Sequence, residues 1–130
     1  MNTKIENDYI KLEISNGILI GTYKVKFITL EIAKSVVELR RKFTKNKDYQ
    51  VLIKDSITVK IEKEARDYLS SNEGTAGIFC AAVLVDSIYK ITLMNFYMKV
   101  LPPKMPVKLF STEEKALLWL NEYKKLMHEQ

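Results

Sequence analysis

Residues 78–85 read IFCAAVLV, and every side chain in this stretch is apolar. A strand with one face in water alternates apolar and polar residues, whereas a strand covered on both faces is apolar throughout. The stretch therefore predicts a central strand that is buried on both faces, as is typical of a parallel sheet covered by helices.

A β-hairpin is predicted upstream of this strand, around Asn16-Gly17. Apolar and polar residues alternate on both sides of the pair, and the apolar positions are Ile10, Leu12, Ile14, Ile18, Ile20, Tyr23 and Val25. Asparagine and glycine both accept the positive φ angles that a type I′ turn requires. The pair therefore joins two antiparallel strands.

Helical spacing marks the segments between the predicted strands. Thr29 is placed to cap a helix that runs to about Phe43. Residues 49–54 (YQVLIK) predict a short strand, and the apolar spacing of residues 61–69 predicts a second helix. The polar turn that follows, residues 72–77, leads into the central strand.

The remaining third of the chain predicts a helix, a strand and a final helix. Asp86-Ser87 starts the first of these helices, and Pro102-Pro103 ends it. Residues 105–110 suit a short strand at or near a sheet edge. Ser111 as N-cap with Glu114 three residues later forms a capping box for the last helix.

The predicted order is ββαβαβαβα, within a single domain over residues 1–130. Right-handed βαβ crossovers make the later strands parallel, so the fold class is α/β, with one mixed, mostly parallel sheet and an N-terminal hairpin. The longest apolar run is far shorter than the ~20 residues that span a bilayer, and we expect a soluble, cytoplasmic protein without a membrane span.

Composition argues against several kinds of chemistry. Cys80 and His128 are the single cysteine and histidine among 130 residues, so a disulfide scaffold, a histidine-based triad and a zinc site are not expected. Four glycines form no phosphate-binding or dinucleotide fingerprint. We therefore expect no cofactor, no metal and no enzymatic activity.

A basic cluster follows the first predicted helix, and its members are Arg40, Arg41, Lys42, Lys45 and Lys47. A net charge of +5 would allow a nucleic-acid patch here. Cations at a helix C-terminus also complement the macrodipole, and this second interpretation is favoured. Nucleic acid is accordingly not the expected partner.

Polar residues stand where two of the predicted parallel strands end, at Asp55-Ser56 and at Asp86-Ser87. Ligands of open α/β sheets bind beyond the carboxyl ends of the strands, so these four residues, with Glu62, are the predicted polar site. The structural alternative is a turn at Asp55 and a helix N-cap at Asp86 or Ser87. Two carboxylates there could also hold a metal or act as acid and base.

The predicted helix over residues 88–100 carries two apolar stripes. Tyr89, Leu93, Phe96 and Val100 form the first stripe, which we expect to cover the sheet, and Ile91, Met94 and Met98 form the second. A surface helix normally has one stripe, so the second requires a further burial partner. That partner is a neighbouring helix, a second protomer, another protein or an apolar ligand.

The order of elements resembles the STAS-type fold of sulphate-transporter and anti-sigma-factor-antagonist domains. The local sequence is similar to small uncharacterised bacterial STAS/Sec14-like proteins through NGILIGTYK (16–24), KEARDYLSSNEG (63–74), AAVLVDS (81–87), NFYMK (95–99) and PVKLF (106–110). The antagonists have a phosphorylated Asp-Ser-Ser-Gly at the start of their second helix, where this chain has Ile61-Glu62-Lys63-Glu64. We expect no phosphoserine switch at that point.

The resemblance implies a non-enzymatic regulatory or interaction module that acts as a homodimer or with a protein partner. The alternative that it implies is a carrier or sensor of a small apolar ligand or lipid, in a Sec14-like pocket lined by residues 88–100 and covered by Trp119 or Tyr123. Two further alternatives are a nucleic-acid binder and an enzyme that uses Asp55 and Asp86.

Overall fold

The computed structural model describes residues 3–55, 57–100 and 102–128. Within these residues, six of the eight strands form one sheet and two form a second, and there are five helices. The strands are β1 (Lys4–Glu6), β2 (Ile10–Ser15), β3 (Ile18–Tyr23), β4 (Phe27–Ile28), β5 (Tyr49–Lys54), β6 (Lys60–Ile61), β7 (Ile78–Leu84) and β8 (Val107–Phe110). The helices are α1 (Leu30–Thr44), α2 (Lys63–Leu69), α3 (Asn72–Thr75), α4 (Ile88–Val100) and α5 (Glu113–His128).

The predicted hairpin is confirmed. β2 pairs antiparallel with β3, and the turn between them has φ angles of 52° at Asn16 and 79° at Gly17. Positive φ at both central residues is the conformation that the Asn-Gly pair favours. β1 pairs antiparallel with the other edge of β2, a strand that the sequence did not predict.

The second half of the sheet is parallel. The strand order is β1-β2-β3-β5-β7-β8, and each neighbour from β3 to β8 is parallel to the next. β7 lies between β5 and β8, and Cys80 and Ala82 within it are fully buried. The prediction of an internal strand at this position is confirmed, as is the edge position of β8.

Helices cover both faces of the sheet. On one face, Val36 of α1 packs against Val51 and Ala81, and Ala33 of α1 packs against Ala65 of α2. The crossovers from β3 to β8 all advance in one direction across the sheet, so right-handed connections place α1, α2 and α4 on this same face. α5 covers the opposite face, where it packs against Leu52, Cys80 and Ala82.

Capping chemistry sets the helix ends. The Thr29 hydroxyl accepts a hydrogen bond from the Ile32 backbone N–H at 3.2 Å, as predicted for the N-cap of α1. The prediction of Ser111 as the cap of α5 is wrong by one residue, because the Thr112 hydroxyl accepts from the Lys115 N–H at 3.3 Å. Both residues carry a hydroxyl, and sequence spacing alone does not decide between them.

Three further small elements were not predicted. β4 and β6 have two residues each and pair in parallel, with Phe27 opposite Lys60 and Ile28 opposite Ile61. α3 replaces part of the expected turn before β7, and the Ser71 hydroxyl caps it by accepting from a backbone N–H. Such short pairings leave almost no periodic signal in a sequence.

Candidate functional site

The outer face of α4 is apolar and open to solvent. The exposed fractions are 75% for Tyr89, 37% for Leu93, 60% for Phe96 and 70% for Val100, and Ile88, beside this stripe at the start of the helix, is 81% exposed. Within the described part of the chain, α4 has no buried residue. A helix with an exposed apolar face is normally covered by something else in the working protein.

The inner face of α4 consists of Ile91, Met94 and Met98, which are all partly buried. We expected the opposite, with the stripe from Tyr89 to Val100 on the sheet and this stripe turned outward, and that assignment is wrong. The rotation of the helix is set by contacts at its ends and side, which sequence periodicity does not contain. One such contact is made by the Arg66 guanidinium of α2, which lies 4.1 Å from the centre of the Tyr97 ring.

The carboxyl ends of β5 and β7 bring two predicted site residues to one edge of the sheet. The Asp55 backbone N–H donates to the Leu84 carbonyl oxygen at 3.2 Å, so the chain leaves β5 beside the end of β7. Asp86 follows within two residues of β7 and is exposed. Ser56, also predicted here, lies outside the described residues.

Asp55 is buried, and its side chain stabilises a turn. Its Oδ1 accepts from the Thr58 backbone N–H at 3.1 Å, and the Thr58 hydroxyl donates to the Val25 carbonyl oxygen at 2.9 Å. Burial raises the pKa of Asp55, and the charge of Asp86 adds to the rise, while the Thr58 hydrogen bonds and Lys90 oppose it. The carboxylate is therefore used to stabilise the loop that follows β5.

The other predicted polar residues stand at the starts of helices. The Ser87 hydroxyl accepts from the Lys90 backbone N–H at 3.1 Å and so caps α4. Glu62 precedes α2, is exposed and makes no capping hydrogen bond with its side chain. Among the residues that the structure describes, no hydrogen bond or ion pair joins Glu62, Asp55 and Asp86, and no group of three His, Cys, Asp or Glu residues is placed to hold a metal.

Arg40 lies in the interior, although the sequence placed it in a basic surface cluster. Its Nη1 donates to the Gly74 carbonyl oxygen at 3.1 Å and its Nη2 to the Ala76 carbonyl oxygen at 2.8 Å. Burial lowers its pKa. The cluster therefore loses its first member, and Arg41 and Lys42 are bonded to Asn46 and Glu38 respectively.

The predicted apolar pocket is not formed from the residues that we expected. Trp119 and Tyr123 lie on α5, where they pack with Phe110 and Phe79 on the face of the sheet opposite to α4. An open groove of about 550 Å³ lies between α1 and the α2–α3 segment, and half of its lining residues are charged residues of α1, with Tyr68 and Glu73 on the other side. Neither place combines α4 with the aromatic residues of α5.

Comparison with known proteins gives a family and a fold. A family described as a domain of unknown function (DUF7793) matches residues 12–124. A crystal structure described as an uncharacterized protein from the DUF3478 family with a SpoIIAA-like fold, from Shewanella loihica PV-4, is similar with a TM-score of 0.62 and 18% identity. The match covers 85% of this chain and 91% of that one, and it confirms the STAS-like fold. No curated protein matches the sequence.

Among the described residues, none of the helices is both long and apolar enough to span a membrane.

Proposed function

We propose that this chain, which belongs to the DUF7793 family, is a non-enzymatic module that acts by binding another protein chain through the outer face of α4. The observation that carries the proposal is the exposure of four large apolar side chains on one helix face, those of Tyr89, Leu93, Phe96 and Val100. Large apolar side chains grouped in this way mark interaction surfaces in soluble proteins.

The spacing of the exposed residues supports a protein surface as the partner. Tyr89, Leu93, Phe96 and Val100 follow one another at intervals of four, three and four residues. This is the spacing by which one helix packs along another, with each side chain between neighbours on the facing helix. A helix of a partner chain would therefore fit this face.

The carrier and enzyme alternatives have less support. A carrier of an apolar molecule needs an enclosed, mostly apolar cavity, whereas the groove beside α1 is open and charged. An acid–base pair needs two carboxylates free to meet a substrate, whereas Asp55 is bonded to Thr58 and Asp86 to Lys90. The outer face of α4 carries no comparable internal bonds.

Site-specific photo-crosslinking in the native host tests the proposal. The photoreactive amino acid p-benzoylphenylalanine is placed at Phe96 in one variant and at Leu118 of α5 in another. Leu118 is a matched control, since it is 59% exposed and lies on the opposite side of the sheet. We expect covalent protein adducts from position 96 and not from position 118. Equal labelling at both positions, or no protein adduct at 96, would contradict the proposal.

A further inference from the structure

We propose that the partner of α4 is a second copy of this chain, with the two α4 helices antiparallel about a two-fold axis that passes between Leu93 and Phe96. This inference rests on the proposed function and names its partner. An isologous dimer uses the same surface patch on both copies, so the patch must be complementary to itself.

When two copies of α4 are antiparallel, the large side chains on the outer face of one copy lie opposite smaller side chains of the other. The intervals of four, three and four residues read the same from either end. When the helices run in opposite directions, Tyr89 meets Val100 of the second copy and Leu93 meets Phe96 of the second copy. Each contact then sets an aromatic ring against an aliphatic side chain. A parallel pair would instead stack tyrosine on tyrosine and valine on valine, which mismatches the volumes along the seam.

Charge at the two ends of the helix favours the same direction. Asp86 precedes the amino end of α4, whereas Lys99 and Lys104 lie at and beyond its carboxyl end, and all three are exposed. Asp86 is paired with Lys90, so the amino end is close to neutral, and antiparallel helices keep the lysines of the two carboxyl ends apart. The macrodipoles of the two helices also oppose in this arrangement. Parallel helices would bring lysine to lysine.

The exposed area is close to what a dimer requires. The four side chains of the stripe, with their exposed fractions, present on the order of 500 Å² of mostly apolar surface. A standard protein interface buries about 800 Å² on each partner. The stripe therefore supplies most of one side of such an interface, and its rim of Thr92 and Asn95 is polar, as the edge of an interface usually is.

Cysteine pairing tests the direction of the helices. Tyr89→Cys and Val100→Cys variants are purified separately, mixed and oxidised mildly; the native Cys80 is fully buried and is left in place. We expect disulfide-linked dimers mainly between the two variants, and few within either one alone. A mixture of either variant with Leu118→Cys serves as the control and should give no such excess. Dominant disulfides within each single variant would overturn the antiparallel arrangement.

Sedimentation equilibrium tests the existence of the dimer. The unmodified chain should associate with itself, and Leu93→Glu with Phe96→Glu should weaken this association by roughly 100-fold or more while circular dichroism shows the native fold. Leu118→Glu should leave the association unchanged. An unmodified chain that stays monomeric at every concentration would overturn the inference.

The two proposals fail in different ways. A monomeric chain whose adducts at position 96 have the mass of a different protein would overturn the second copy as partner and leave the proposed function standing. A monomeric chain without adducts at position 96 would overturn both.

Discussion

Arg40 joins α1 to the segment that leads into β7. Its guanidinium donates to two carbonyl oxygens near the end of α3, those of Gly74 and Ala76. The backbone passes so close to α2 at Gly74 that a Cβ there would collide with the Tyr68 carbonyl oxygen. The bond to Gly74 is buried and the bond to Ala76 is partly buried, so water has little access and the arginine supplies the hydrogen bonds of these carbonyl groups.

Replacing this arginine should be costly. For Arg40→Met we expect a loss of about 2–4 kcal/mol in the free energy of unfolding, because a buried and a partly buried carbonyl oxygen lose their donor. The neighbouring Arg41→Met is the control and should change it by less than about 0.5 kcal/mol, since Arg41 is exposed. Urea denaturation measures both values. Equal stabilities for the two variants would show that Arg40 does not hold the junction.

The buried carboxyl of Asp55 should make stability depend on pH. Its pKa is higher in the folded chain than in the unfolded chain, so the folded state binds more protons between the two values. Stability therefore falls as pH rises through this range, and ionised Asp55 remains unfavourable at every higher pH.

Asp55→Asn removes this titration and keeps an oxygen that can accept from the Thr58 N–H. We expect its stability relative to the unmodified chain to rise from acid to neutral pH and then to level off, as measured by urea denaturation at a series of pH values. Asp86→Asn, which removes an exposed charge paired with Lys90, should not show that rise. A relative stability of Asp55→Asn that fell with pH would refute the assignment.

At the scale of elements, α4 separates into two faces with different consequences for mutation. Met94→Glu with Met98→Glu places charge on the face that packs on the body of the protein, and we expect it to destabilise the fold by on the order of 2 kcal/mol, because the two side chains are partly buried. The matched outer pair, Leu93→Glu with Phe96→Glu, should leave the melting temperature nearly unchanged when it is compared at protein concentrations too low for self-association. The opposite result in thermal melts would restore the rotation of the helix that we first expected.

Elements whose signal is local could be predicted from the sequence. Asn16-Gly17 specifies its turn, Thr29 caps its helix, and the apolar run of β7 marks a strand covered on both sides. The rotation of α4 could not be predicted, because it depends on Arg66 of α2, which is distant in sequence from the Tyr97 ring that it contacts. The role of Arg40 was hidden for the same reason, since its acceptors lie 34 and 36 residues away.

At the scale of the whole molecule, the sheet is the layer on which both groups of helices depend. Val83 is buried in β7, between two parallel neighbours. Val83→Asp should lower the free energy of unfolding by roughly 3–5 kcal/mol, because an unpaired charge would be enclosed in the core. Val59→Asp is the control, since Val59 is 65% exposed, and it should have little effect. A Val83→Asp variant as stable as the control would contradict the covered sheet.

The predicted polar site differs from the structure in the role of its side chains. Asp55 and Asp86 do stand at neighbouring strand ends, as the parallel topology required, but their side chains are used within the chain. The exposure of one apolar face of α4 depends on how the helix packs on the rest of the protein, and the sequence does not contain this information. Sequence located both apolar stripes and could not tell which of them faced solvent.

The absence of any buried side chain in α4, within the described residues, has a kinetic consequence. A helix that is held by partly buried contacts can open without unfolding the sheet, so its backbone amides should exchange with deuterium far faster than those of β7. Self-association would close that route to exchange. Amide exchange in α4 should therefore slow as protein concentration rises, while exchange in α5 stays constant.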